Sequence, residues 1–140
     1  MATNISRLNL NATSAKAWEA LTDPAMVKAW QYGSELITDW KVGNEIRFKT
    51  EWQGQIFEQW GTVLHFEPTS RLKYSLFAPR PDIEDIPENY FEMEYVLTER
   101  EDGLELLIVQ EDNRPGAKQE PEQGEENPVL KMLKELIEKS

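Results

Sequence analysis

Glu58 is the one carboxylate in this sequence whose setting could give it a catalytic pKa. It alternates in step with Ile56, Trp60, Thr62, Leu64 and Phe66. Side chains in a strand repeat every second residue, so these share one face. If that face is interior, the carboxyl stands in an apolar pocket. Desolvation would then raise its pKa into the range of a general acid or base. The opposing reading is that this end of the strand projects past the sheet and leaves Glu58 wet. Long strands often carry a bulge that swaps faces, which favours the second reading.

Two phenols, Tyr74 and Tyr95, fall in alternating apolar runs, where a ring can be buried while its hydroxyl meets a ligand or water. Trp52, Trp60 and Met93 could line the same space, although most such residues in any domain are simply core. Five tryptophans in 140 residues is generous, and flat rigid walls suit a pocket for apolar molecules. The candidate ligand-binding residues are therefore Trp52, Glu58, Trp60, Tyr74, Met93 and Tyr95. His65 is the sole histidine and there is no cysteine. A metal centre would need several carboxylates beside His65, and no ligand spacing is visible. No serine sits in a nucleophile-elbow context and no glycine-rich phosphate loop exists. No catalytic residue, metal ligand or cofactor is assigned.

These residues need a scaffold, and its elements are legible. Residues 128–139 place Val129, Met132, Leu133, Leu136 and Ile137 along one helical stripe, widened by Leu130. Asn127 can cap the helix, and Pro128 sits where a missing N–H costs nothing. So short a helix is marginal alone and must bury that stripe against something. Ile5, Leu8 and Leu10 mark a first strand. A short helix over 15–21 follows, with Thr13 or Ser14 as cap. Asp23-Pro24 opens a second, which runs to about Trp30 and ends in Gln31-Tyr32-Gly33. From Glu35 the period switches to two, giving about six antiparallel strands with turns at Val42-Gly43-Asn44, Gln53-Gly54 and Asp102-Gly103. Residues 78–89 hold three prolines among acids and cannot be a regular element. Residues 112–126 read as a long, mobile acidic connection.

The length predicts a single domain, 1–140, with a core that needs no staples. Net charge is -11, and nine carboxylates against Arg100 alone fall in residues 82–102. Six more, against Arg114 and Lys118, fall in 111–126. So acidic a chain repels phosphate backbones, which argues against nucleic-acid binding. The N-terminus lacks a signal-peptide pattern and no stretch approaches the ~20 apolar residues of a membrane span. A cytoplasmic protein, monomer or homodimer, is the expectation.

The motifs Ala17-Trp18-Glu19-Ala20-Leu21-Thr22-Asp23-Pro24 with Trp30, Asp39-Trp40-Lys41-Val42-Gly43-Asn44, Gly61-Thr62-Val63-Leu64, Glu67-Pro68 and Leu72-Lys73-Tyr74 occur in a telling order. Together they resemble the START-like (SRPBCC) superfamily, and within it the branch named after the activator of the ninety-kilodalton heat-shock-protein ATPase. Two departures stand out. Asn127-Pro128 replaces the Gly-Trp pair that many relatives carry into the last helix, and the acidic segment before it is longer than usual. The resemblance implies an α+β helix-grip fold, a curved antiparallel sheet wrapped around the C-terminal helix with a cavity between them. It implies a hydrophobic or amphipathic small molecule as ligand, only loosely, because fold does not fix function. The alternative is a protein-interaction module like the co-chaperone domain, with a role in stress response, docking a chaperone or other basic surface. A cyclase-like or hydrolase-like enzyme in the same cavity is the weaker alternative.

Overall fold

In the computed structural model of the protein, residues 2–31 and 33–139 are described. Tyr32, expected in the turn after the second helix, lies outside them. Strand β1 (Ala2–Leu10) leads into helices α1 (Ser14–Thr22) and α2 (Pro24–Trp30). Six strands follow: β2 (Glu35–Thr38), β3 (Glu45–Trp52), β4 (Gln55–Glu67), β5 (Arg71–Leu76), β6 (Phe91–Arg100) and β7 (Gly103–Asp112). Helix α3 (Pro128–Lys139) ends the chain. All strands form one seven-stranded sheet in the order β1-β7-β6-β5-β4-β3-β2, every neighbour antiparallel. This is the expected α+β helix-grip architecture. Among the described residues no helix is long and apolar enough to cross a membrane.

The small helices form where their caps put them. Thr13 accepts from the Lys16 N–H at 3.2 Å, and Asp23 accepts from the Ala25 N–H at 3.0 Å with Pro24 in the first turn. Tryptophans then fix them to each other and to the sheet. Trp30 Nε1 donates to the Ala20 carbonyl at 2.8 Å, and Trp40 Nε1 donates to the Thr22 carbonyl at 3.0 Å. Trp40 reaches that position with a φ of 58°, a left-handed conformation that a bulky residue adopts only when held. Its backbone N–H on Thr38 and its stacking on Phe66 at 5.4 Å hold it.

Helix α3 packs on the concave face, but rotated from the sequence expectation. Leu130, Leu133 and Ile137 are buried, Val129 and Leu136 flank them, and Met132 is 39 % exposed. The apolar arc is wider than the face that fits the sheet, and the first turn is aimed by its cap. Asn127 Oδ1 accepts from the Val129 N–H at 2.9 Å. At the far end Lys134 donates to the Asn9 carbonyl at 2.9 Å and Glu138 accepts from the Asn11 N–H at 2.8 Å, clipping the helix to the end of β1.

Segment 112–126 runs along the free edge of β1 and is hydrogen-bonded to it. Gln123 donates to Ile5 O at 3.0 Å and accepts from Arg7 N at 2.9 Å, while Glu120 N donates to Asn4 Oδ1 at 2.7 Å. At its root the Arg114 guanidinium grips the buried Asp112 carboxylate and lies 4.4 Å over the Phe91 ring. Backbone groups pair whatever the side chains are, so composition does not reveal such a tether. It also covers an edge that would otherwise be open to pairing.

Leu133 is completely buried. Replacing it with alanine leaves a void under the sheet and should cost about 2–5 kcal/mol in urea unfolding. A loss below about 0.5 kcal/mol would show the helix to be peripheral.

Candidate functional site

Between the first turn of α3, helix α2 and the concave sheet lies a cavity of about 450 Å3, within the range of small-molecule sites. Its floor comes from β5, β6 and β7, whose inward positions carry Tyr74, Leu76, Phe91, Met93, Tyr95 and Ile108. Val129 and Leu130 form part of the roof, and Trp30 the side under α2. The polar groups on its wall include Ser34, Thr50, Gln59 and Gln110. The Ser34 and Thr50 hydroxyls are 2.9 Å apart, and Asn4 Nδ2 donates to Gln110 Oε1 at 3.4 Å. Among the described residues, the two tyrosines are the sole ionisable side chains on the wall.

The tyrosines are the wall's distinctive pair. Their hydroxyl oxygens are 3.2 Å apart and the rings meet edge to face at 6.1 Å. Burial pushes the Tyr74 phenol well above its ordinary value of 10.0, and the neighbouring Tyr95 adds to the shift. Burial also raises Tyr95, partly offset by its hydrogen bond with Tyr74. One hydrogen bond between two hydroxyls uses one O–H, so the pair keeps a second O–H donor for a ligand. Neither phenol can act as a base near neutrality, because its ionised form is too costly there.

Of the six residues singled out from sequence, the structure brings Tyr74, Met93 and Tyr95 together on this wall. The other three lie elsewhere. On β4 the inward residues are Gln59, Gly61 and Val63, so Glu58 and Trp60 face out. Glu58 sits across from Lys49, with its carboxylate 3.6 Å from Lys49 Nζ and 3.5 Å from Arg47 Nη1. Trp60 packs on Phe77 at 5.5 Å and donates to Asp85 Oδ2 at 3.0 Å, pinning the proline-rich 78–90 loop to the outer face. A bulge between Val63 and His65 returns Phe66 to the inside, and that is why Glu58 and Phe66 do not share a face. Trp52 does face the concave side, opposite Gln55, but stands beyond the cavity and is 65 % exposed. His65 is also on the outer side, its Nε2 3.2 Å from a Glu67 carboxylate oxygen at an angle that makes no hydrogen bond.

Sequence reasoning missed Ser34, Thr50, Gln59 and Gln110. Thr50 was legible as an inward position of β3, and Gln59 would have followed from placing the bulge. Ser34 gave no signal, because it lies in a connection outside any periodic run.

Residues 11–138 match the family model described as activator of Hsp90 ATPase homolog 1-like protein. No curated protein matches the chain. The solution structure of ChR145 from Cytophaga hutchinsonii is 35 % identical, covering 83 % of this chain and 80 % of that one, with a TM-score of 0.70. The crystal structure of MLL2253 from Mesorhizobium loti is 22 % identical over 99 % and 98 % of the two chains, with a TM-score of 0.74. The Aha1 dimer from Colwellia psychrerythraea is 17 % identical over 84 % and 81 %, with a TM-score of 0.60. The last two speak for the fold alone.

The raised phenols make a prediction with a definite sign. A group whose folded pKa lies above its unfolded value contributes stability that is complete below the unfolded value and lost as pH rises through the folded one. The pair's share should therefore be constant up to about pH 10 and fall above it. Urea unfolding at about pH 8 and about pH 11 should show a smaller alkaline loss in a variant with both Tyr74→Phe and Tyr95→Phe than in the parent. Equal losses would mean that the hydroxyls are hydrated in the folded protein.

Proposed function

Because this chain belongs to the family of activator of Hsp90 ATPase homolog 1-like proteins, we propose that it is a binding domain of that START-like fold, whose ligand occupies the cavity under α3. The observation that carries this reading is the wall itself, apolar at the floor and neutral where it is polar. A charged group would lose its hydration there without gaining a counter-ion, at a cost of several kcal/mol. The ligand is therefore an uncharged, mostly apolar molecule. Its hydroxyl or carbonyl oxygen meets the O–H left over by Tyr74 and Tyr95. Tyr74, Met93 and Tyr95 are the contacts retained from the six candidates. Acid–base catalysis has no support in this wall, since neither phenol titrates near neutral pH.

Calorimetry with a matched pair of probes tests the reading. 4-Butylphenol should bind at least about 10-fold more tightly than 4-butylbenzoate, whose carboxylate the wall cannot pair. Met93→Trp, which fills the space, should abolish binding, while Glu58→Gln should leave it unchanged. Preference for the benzoate, or binding that survives Met93→Trp, would place the site elsewhere.

A second reading rests on the acidic 82–88 stretch together with the family's name. Asp82, Glu84 and Glu88 are exposed on the outer face, and a basic protein partner would meet them there. This predicts that the chain stimulates an Hsp90 ATPase at low salt and less at about 0.5 M, since screening shortens the reach of exposed charges. Neutralising the three carboxylates without any change in that stimulation would remove this reading.

A further inference from the structure

We propose that the tip of the β3–β4 hairpin is a second, apolar subsite of the cavity, so that the ligand is elongated and its distal segment lies across Trp52 and Phe57. This rests on the cavity reading above and deepens it. The register places Thr50 opposite Phe57 and Trp52 opposite Gln55. Thr50 and Gln59 line the cavity, and same-face positions on a strand recur every second residue. Trp52 and Phe57 are therefore the next inward positions along the two strands, about 7 Å further out. Gln59 is both a wall residue and exposed, so the cavity opens on the side toward the hairpin tip.

Among the described residues these two side chains are left largely open. Trp52 is 65 % and Phe57 52 % exposed, whereas the other large rings among the described residues are at least half-buried. The six residues 52–57 carry no charge, although 29 % of the chain is charged. Trp52 and Phe57 extend the cavity's apolar floor past its polar rim. A molecule with a hydrogen-bonding head at the tyrosine pair and an alkyl or aromatic tail fits that order of surfaces: apolar floor, amide and hydroxyl rim, aromatic shelf. A compact ligand uses only the first two.

A series of 4-alkylphenols with lengthening tails tests this on the full chain by calorimetry. In the parent, affinity should keep rising with tail length after the cavity is full, about twofold per methylene on the half-open shelf against about fourfold for full burial. A variant carrying Trp52→Ser and Phe57→Ser changes only exposed side chains. It should bind the short probes as the parent does and lose the extra gain of the long ones, roughly 10-fold at octyl. Equal affinities of parent and variant across the series would overturn the shelf and leave the cavity reading standing. Failure of the parent to bind any member would overturn both. If the substitutions instead convert a dimer into monomers with the whole affinity series intact, the tip serves a second copy of the chain and the proposal falls.

Discussion

The reach of one short helix governs the concave side of this protein. α3 has 12 residues, so it spans about 18 Å. The central strands β6 and β7 have 10 residues each, or about 33 Å. A helix half the length of the strands it lies on cannot cover them. Leu133 and Ile137 fill one half of the face completely, and α1 and α2 close in from the side. What remains, beneath the first turn and beside Trp30, is the cavity. The clips from Lys134 and Glu138 to the end of β1 keep the helix from sliding over it.

Charge is arranged to leave that space neutral. The outer face carries cross-strand pairs, Lys73 with Glu92 at 3.1 Å, Arg71 with Glu94, and Glu58 between Arg47 and Lys49. Each such exposed pair contributes little to stability. In β3, β4 and β5 the formal charges stand on the wet side, and Asp112, on the inner register of β7, is neutralised by Arg114, so the positions around the cavity are left to rings, aliphatics, amides and hydroxyls. The same alternation that makes the sheet amphipathic leaves the cavity wall, among the described residues, without a carboxylate, amine or guanidinium.

Much of this was legible in the sequence because it is set locally. Asp23-Pro24 and Asn127-Pro128 are cap chemistry, and the strands β3 to β7 follow from a period of two. What was not legible is set by register. One extra residue at Leu64 inverts β4, so Glu58 and Trp60 leave the interior and Gln59 enters it. Periodicity fixes which residues share a face, and only the partner strand fixes which face is inside. The α3 stripe failed by a smaller angle for the same reason. Its apolar arc spans more than the contact, and the Asn127 cap and the sheet chose Leu130 over Met132.

Most of the residues that carry the family likeness are scaffold, although Trp30 and Tyr74 also line the cavity. Trp18 packs on Phe66 at 5.3 Å, Trp30 and Trp40 tie helix carbonyls, and Gly43 takes a turn at φ 92°. Gly61 lies where β4 and β5 cross so closely that a Cβ would stand 1.8 Å from the Ser75 carbonyl oxygen. None of these demands a particular ligand. The polar wall residues Ser34, Thr50, Gln59 and Gln110 fall between the motifs. Likeness of scaffold over residues 11–138 therefore does not by itself fix what the cavity holds.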